Sequence, residues 1–269
     1  MYSKIRPRHY LVFLIAFVLI GGAWMIIPCR TIEFRDTQKS TIQKHQVWDE
    51  LLHEFVDNEG MINYKGFITE RARLQQYLTQ LSRNPPDKES WSQEEQLAYW
   101  INAYNAYTIA LIIEHYPLSG IKDIGSFIQI PFVNSPWDIK FIEIGGKKIN
   151  LNNIEHSILR KEFNEPRIHF AIVCASMSCP QLRNEAYTAS ALNAQLDEQA
   201  SAFINDRFRN DIASDRIEIS KIFQWFTGDF TKNGTLIDFL NKYSKIKIQT
   251  GADITYKKYD WTLNEQKEL

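Results

Sequence analysis

The sequence predicts an α+β fold: one mixed domain with a central buried helix, several amphipathic helices and a small, mostly antiparallel sheet. Three observations predict it. Helical and extended patterns follow one another without regular β-α alternation, and no internal repeat or low-complexity tract interrupts them. The segment QLAYWINAYNAYTIALIIEHY is apolar nearly all round, as expected of a helix buried on most sides. DIKFIEIGGKKIN alternates around Gly145-Gly146, a two-glycine hairpin signal.

The chain opens with Lys4, Arg6 and Arg8 and no acid, and then runs from Leu11 to Pro28 without a charge. That pattern is an export signal. The run is slightly shorter than the ~20 residues of a spanning helix, and Gly21-Gly22-Ala23 offers the small residues of a cleavage site. Residues 1–28 are therefore expected to be a signal peptide or an N-terminal membrane anchor, and both alternatives stand. Either places the remaining chain outside the cytoplasm, the periplasmic side in a bacterium, because basic residues ahead of the run stay inside. Cys29 follows Ile26-Ile27-Pro28 instead of a small residue, which argues against lipidation. Residues 29–43 read as a polar stalk and 44–269 as one domain. Net charge is -1, from 31 Lys and Arg against 32 Asp and Glu. No basic field exists to collect phosphates, so nucleic acid is excluded as a partner. The membrane, through the N-terminal segment, is the partner the sequence names.

Within the domain, Val47, Leu51, Leu52 and Phe55 mark a helix that stops at Asn58-Glu59-Gly60. A second helix is predicted over about Thr69 to Leu81, with Leu74, Tyr77, Leu78 and Leu81 as its apolar side. Ser92-Gln93-Glu94-Glu95 has the capping pattern that opens the central helix, and Pro117 closes it. Asn102 and Asn105 sit three apart on that helix. A buried amide without partners costs roughly 1 to 3 kcal/mol, so the pair reads as a structural bracket or as a site wall. NLNNIEHSILRKEF is a short helix capped by Asn150 or Asn152, and RIHFAIVC is an apolar run of strand length. A helix from Thr188, a strand at IEIS, helices in SKIFQWFTGDF and GTLIDFLNKY, and a strand-like tail in DITYKKYDWTLN complete the order.

The chemistry concentrates in HFAIVCASMSCPQL, residues 169–182. On a strand, His169 and Cys174 would point to opposite faces, leaving Cys174 as a small core residue. Cys179 lies in a loop of small residues before Pro180, where the start of a helix would help its thiol to ionise. A Cys174–Cys179 disulfide fits an oxidising compartment. Zinc fits less well, since the four-residue spacing has no second ligand pair. No metal and no cofactor is called for. Glu155 falls among Leu151, Ile154, Ile158 and Leu159 on the short helix, and a carboxylate on an apolar face needs a partner. His156 sits on the flank towards Arg160, where it could face a cleft. His45, His53 and His115 are expected on solvated helix surfaces.

LAYWINAYNAYTI, PWDIKFIEIGGKKINLNNIEHSILR, RIHFAIVCASMSCPQL and the closing YDWTLN together resemble the domain-of-unknown-function 547 family, over about Met61 to Asn264. The resemblance places the family's hallmark residues on Trp100, Asn102, Asn105, Glu155, His156, His169, Cys174, Ser178 and Cys179. It also implies relatives among exported bacterial proteins, and others joined to glutaredoxin modules. The leading expectation is a thiol-dependent hydrolase or transferase acting on an amide or ester in the cell envelope. There Cys179 is the nucleophile, His156 or His169 the base, and Glu155 or Asn105 the group that orients it. One alternative is a thiol-disulfide redox protein in which Cys174 and Cys179 cycle together. Another is a tethered binding module with structural cysteines.

Overall fold

The structure is a computed structural model and describes residues 45–124 and 135–267. The expected signal or anchor (1–28) and stalk (29–43) lie outside the described residues, as do residues 125–134. Among the described residues no helix is long and apolar enough to cross a membrane.

The fold is α+β and is organised around the long helix, here α4 (Gln93–His115). Its start is fixed twice over. Ser92 Oγ accepts the Glu95 N–H at 3.1 Å, and Glu95 Oε2 accepts the Ser92 N–H at 2.9 Å. Almost every residue from Gln96 to Ile113 is buried, because helices cover it from several sides. They include α2 (Tyr64–Thr69) and α3 (Arg71–Arg83), whose buried face is the predicted Leu74, Tyr77, Leu78 and Leu81, and α1 (residues 45–55) packs on α3. Trp48 of α1 stacks on Tyr77 with centroids 5.7 Å apart. The same contact corrects the reading of His45: the first turn of α1 lies against Tyr77, so His45 is buried with Nδ1 2.7 Å from the Tyr77 hydroxyl.

The predicted hairpin is present as β1 (Ile142–Ile144) and β2 (Lys147–Ile149), antiparallel with Ile142 opposite Ile149. Gly145 and Gly146 have φ of +59° and +74°, which a two-residue turn of this hand requires at both positions. The Gly145 N–H donates to Ser82 O at 2.8 Å and docks the turn on the end of α3. The short helix follows as α5 (residues 151–162), with Asn150 Oδ1 capping the Asn153 N–H at 2.7 Å. It is not a plain α-helix. Asn153–Leu159 is π-helical, and the Arg160 N–H bonds the carbonyl of Glu155, five residues back. Such widened turns are frequent at functional sites.

RIHFAIVC is not a strand, and this is the main correction to the sequence reading. Pro166–Phe170 forms a 3-10 turn, after which the Ala171 and Ile172 N–H groups both reach Ile168 O at 2.9 and 3.0 Å. The run is apolar because it is buried between two cores. Where a neighbouring strand would have paired it, Asn105 does so instead: Nδ2 donates to Ala171 O and Oδ1 accepts from the Val173 N–H, each at 2.9 Å. Asn102 brackets Tyr187 in the same way, at 2.8 and 3.0 Å.

Phe170 anchors the second core, against α6 (Leu192–Asn205), α7 (Lys221–Trp225), α8 (Thr227–Phe230) and α9 (Leu236–Leu240). Its small sheet pairs β3 (Asp211–Ile212) antiparallel with β4 (Arg216–Ile219), and β4 parallel with β5 (Asp253–Tyr256). The C-terminal segment then ties the two cores together. The Leu263 N–H donates to Ser119 O, the Met177 N–H to Thr262 O and the Ser178 N–H to Asp260 O, at 2.8 to 3.2 Å. Gly120 permits this path, since a Cβ there would stand 2.3 Å from Trp261 O.

Candidate functional site

Where the two cores meet, a cleft of about 210 Å³ is lined by side chains from the whole domain, among them Tyr104 of α4 and Glu155 and His156 of α5. His169 comes from the 3-10 turn, Cys174 and Cys179 from the loop after it, and Trp225 and Phe226 from the α7–α8 junction. Tyr259 and Trp261 come from the C-terminal segment. Four of the five predicted site residues, Cys179, His156, His169 and Glu155, therefore share one cleft. Asn105 does not line it. Both ends of its amide are taken by residues 171 and 173, so it positions the segment that leads to Cys174.

The two sulfurs are bonded to each other, with Cα atoms 6.2 Å apart. The expected order of burial is reversed. Cys179 is 2% exposed, whereas Cys174 is only partly buried. No helix follows Pro180 to activate a thiol; residues 180–190 are irregular. Without a strand, His169 and Cys174 are not held on opposite faces, and both line the cleft. Around the disulfide, the Cys174 N–H donates to Cys179 Sγ at 2.8 Å, and the Tyr259 hydroxyl lies 3.4 Å from Cys179 Sγ and 3.2 Å from Cys174 Sγ. Arg209 Nε donates to Cys179 O at 2.6 Å and Nη2 to Met177 O at 3.2 Å, which fixes the loop from behind.

A charged relay links two of the lining side chains, His169 and His156. Asp229 Oδ2 accepts from Arg160 Nε at 2.6 Å and from His169 Nε2 at 2.8 Å, and Arg160 Nη1 reaches His156 Nδ1 at 3.0 Å. The predicted approach of His156 to Arg160 is thus present. Burial pushes the Asp229 carboxyl up, but the bonds from His169 and Arg160 outweigh it and hold the group well below the usual carboxylate range. Burial lowers His169, with Asp229 opposing; burial and the Arg160 charge lower His156. A neutral His169 that donates through Nε2 keeps a lone pair on Nδ1, and a neutral His156 that accepts from Arg160 keeps its proton on Nε2. Phe226 lies flat on the His169 ring, centroids 3.9 Å apart, and fixes its plane.

Glu155 is buried, as its place on the apolar side of α5 predicts. Its partner is the Tyr104 hydroxyl at 3.3 Å, and burial raises its carboxyl to about 7 although Tyr104 and Arg160 pull it down. A carboxyl with that value gains and loses protons at neutral pH. The cleft therefore combines a disulfide with groups that can take up or release a proton beside it. Among the described residues no cluster of His, Cys, Asp and Glu has the arrangement of a metal site.

Asp229 and Tyr259 escaped the sequence reading. Asp229 is the lone acid in the aromatic run FQWFTGDF, which was a signal of the kind that exposed Glu155. Tyr259 opens the YDWTLN motif, but nothing local in that alternating tail marks its hydroxyl as a site group. The remaining hallmark residues are structural: Ser178 Oγ accepts the Asp260 N–H at 2.8 Å, and Trp100 packs edge-on against Tyr99.

No curated protein and no solved structure matches the chain. Residues 88–204, which carry α4, Glu155, His156, His169 and both cysteines of the disulfide, match the family described as "Protein of unknown function, DUF547".

Proposed function

We propose that the cleft is a thiol-disulfide exchange site. The observation that carries this reading is a disulfide in the wall of a cleft, with donors already placed on the sulfur that would leave. An incoming thiolate attacks Cys174 Sγ, which belongs to the less buried of the two cysteines. The bond to Cys179 breaks and its electron pair stays on Cys179 Sγ. That thiolate is met by the Cys174 N–H at 2.8 Å and the Tyr259 hydroxyl at 3.4 Å. A second thiolate of the substrate then displaces Cys174 from the mixed disulfide. The substrate leaves oxidised and the cysteine pair reduced, and a partner disulfide reverses both steps to restore the protein. Glu155, titrating near 7, supports proton transfer to and from the thiolates. The proposed setting is the cell envelope, outside the cytoplasm, with the N-terminal segment as export signal or membrane tether.

Trapping tests the order of attack. With Cys179→Ser, the free Cys174 thiolate should attack an activated disulfide, a peptide cysteine capped with thionitrobenzoate, releasing thionitrobenzoate and leaving a Cys174–peptide mixed disulfide seen as a mass increase. Cys174→Ser should trap far more slowly. Equal trapping, or faster trapping at Cys179, contradicts the proposal.

The His169–Asp229 pair favours a second reading, in which the cleft performs acid-base hydrolysis or transfer on an amide or ester. Cys179 does not serve as its resting nucleophile, because its sulfur is bonded to Cys174. The double variant Cys174→Ser, Cys179→Ser separates the two: it abolishes exchange and spares a reaction that runs on His169 and Glu155.

A further inference from the structure

We propose that the cleft takes an extended protein segment whose reactive cysteine is flanked, within two residues, by an aromatic or other large apolar side chain. This rests on the exchange reading and adds the class of substrate. The first argument is size. At about 210 Å³ the cleft is smaller than the roughly 300 to 1,000 Å³ that enclose a whole small-molecule ligand. It holds one or two side chains of something longer.

The second argument is the wall. Tyr259, whose hydroxyl touches both sulfurs, packs on Trp225 at 4.8 Å and on Trp261 at 4.5 Å, and Trp137 meets Trp261 at 5.8 Å. The aromatic surface is thus continuous from the disulfide to the rim, where Trp225 is 46% exposed. Other exposed apolar side chains, Phe208 and Ile246, do not line the cleft. A single exposed apolar residue is ordinary, but one that extends an aromatic wall beside a reactive bond is a binding surface. In an extended segment successive residues advance by roughly 3.3 Å, so a side chain within two residues of a cysteine at Cys174 reaches the Tyr259–Trp225 ring pair.

The third argument is charge. Among the described residues no Lys or Arg lines the cleft, and the Arg160 guanidinium on the relay is engaged by Asp229 and His156. Glu155 adds negative charge as it ionises. One cation touches the aromatic wall, Lys122 with its Nζ 3.6 Å over the Trp261 ring; an anionic thiol, such as a small peptide with free carboxylates, finds none among the side chains that line the cleft itself.

The test uses the protein carrying its native disulfide and three blocked peptides, acetyl-Gly-Xaa-Cys-Xaa-Gly-amide, with Xaa Phe, Ala or Asp. Each attacks through its thiolate, forms a mixed disulfide and releases one protein thiol, which alkylation and mass measurement count. Rates are compared at equal thiolate concentration. The Phe peptide should react about ten-fold faster than the Ala peptide, the scale of one good aromatic contact, and the Asp peptide more slowly than either. Trp225→Ala should reduce the Phe-to-Ala ratio to roughly two-fold or less, Trp225→Phe should keep part of it, and Ile246→Ala should keep all of it. Equal rates for Phe and Ala, or a faster Asp peptide, overturn the substrate class while exchange stands. If none of the peptides reacts with the folded protein, the exchange reading itself fails.

Discussion

Glu155 shows how one residue links burial to chemistry. Its ordinary value is 4.5 and burial raises it to about 7 in the folded chain. The folded state thus holds the proton more tightly than the unfolded state, and stability falls as pH rises from about 4.5 through about 7 before levelling. The whole effect is on the order of 3 kcal/mol. Glu155→Gln should flatten this slope, which urea unfolding between pH 5 and 8 would read; parallel slopes for the two proteins would contradict it. Tyr259 belongs to the same scale. One hydrogen bond to a charged sulfur contributes about 1.5 kcal/mol, so Tyr259→Phe should slow reduction of the disulfide about ten-fold. An unchanged rate would remove Tyr259 from the mechanism. The sequence disclosed those residues whose chemistry conflicts with their local pattern, such as a carboxylate on an apolar face or two thiols in one short apolar run and its loop. It did not disclose Asp229 and Tyr259, which gain their roles only from partners 60 and 80 residues away in sequence.

At the scale of elements, Asn105 stands in for a missing strand. Ala171 and Val173 are buried, and their backbone groups would be orphaned without its amide. Asn105→Ala should therefore destabilise by about 2 to 4 kcal/mol, since two buried groups lose their partner. Asn105→Asp should also destabilise, because the carboxylate cannot donate to Ala171 O. Chemical denaturation measures both, and a loss under about 0.5 kcal/mol, the scale of an ordinary surface change, would show that the bracket is dispensable. The same amide explains why RIHFAIVC reads as a strand: period and burial are encoded locally, whereas the identity of the pairing group is not. α5 is a second instance. Its apolar side was legible at Leu151, Ile154 and Leu159, but nothing in the composition distinguishes a π-helical turn from an α-helical one. By contrast, α4, the Gly145-Gly146 turn and α3 follow from caps, glycines and periodicity, which are local signals.

The whole molecule is held together by its C-terminal segment, which binds Ser119 on one core and the Met177–Ser178 loop beside the disulfide. Tyr259 and Trp261 line the cleft only while that segment is in place. Removing residues 259–269 should therefore slow exchange even in protein that remains folded by circular dichroism; an undiminished rate in such protein would contradict the role given to the segment. Location belongs to this scale too. A phosphatase reporter fused after Leu269 should be active outside the cytoplasmic membrane, and activity of a cytoplasmic reporter there would reverse the proposed topology.

The central claim is that the Cys174–Cys179 bond reacts in the folded protein. The most direct measurement reduces the wild-type chain with dithiothreitol in native buffer, quenches with an alkylating reagent at intervals and counts modified thiols by mass. The account predicts two thiols appearing at a rate proportional to the dithiol thiolate concentration, with secondary structure unchanged. A rate independent of that concentration and equal to the rate of global unfolding, or reduction only in denaturant, would make the disulfide a structural staple and contradict the account.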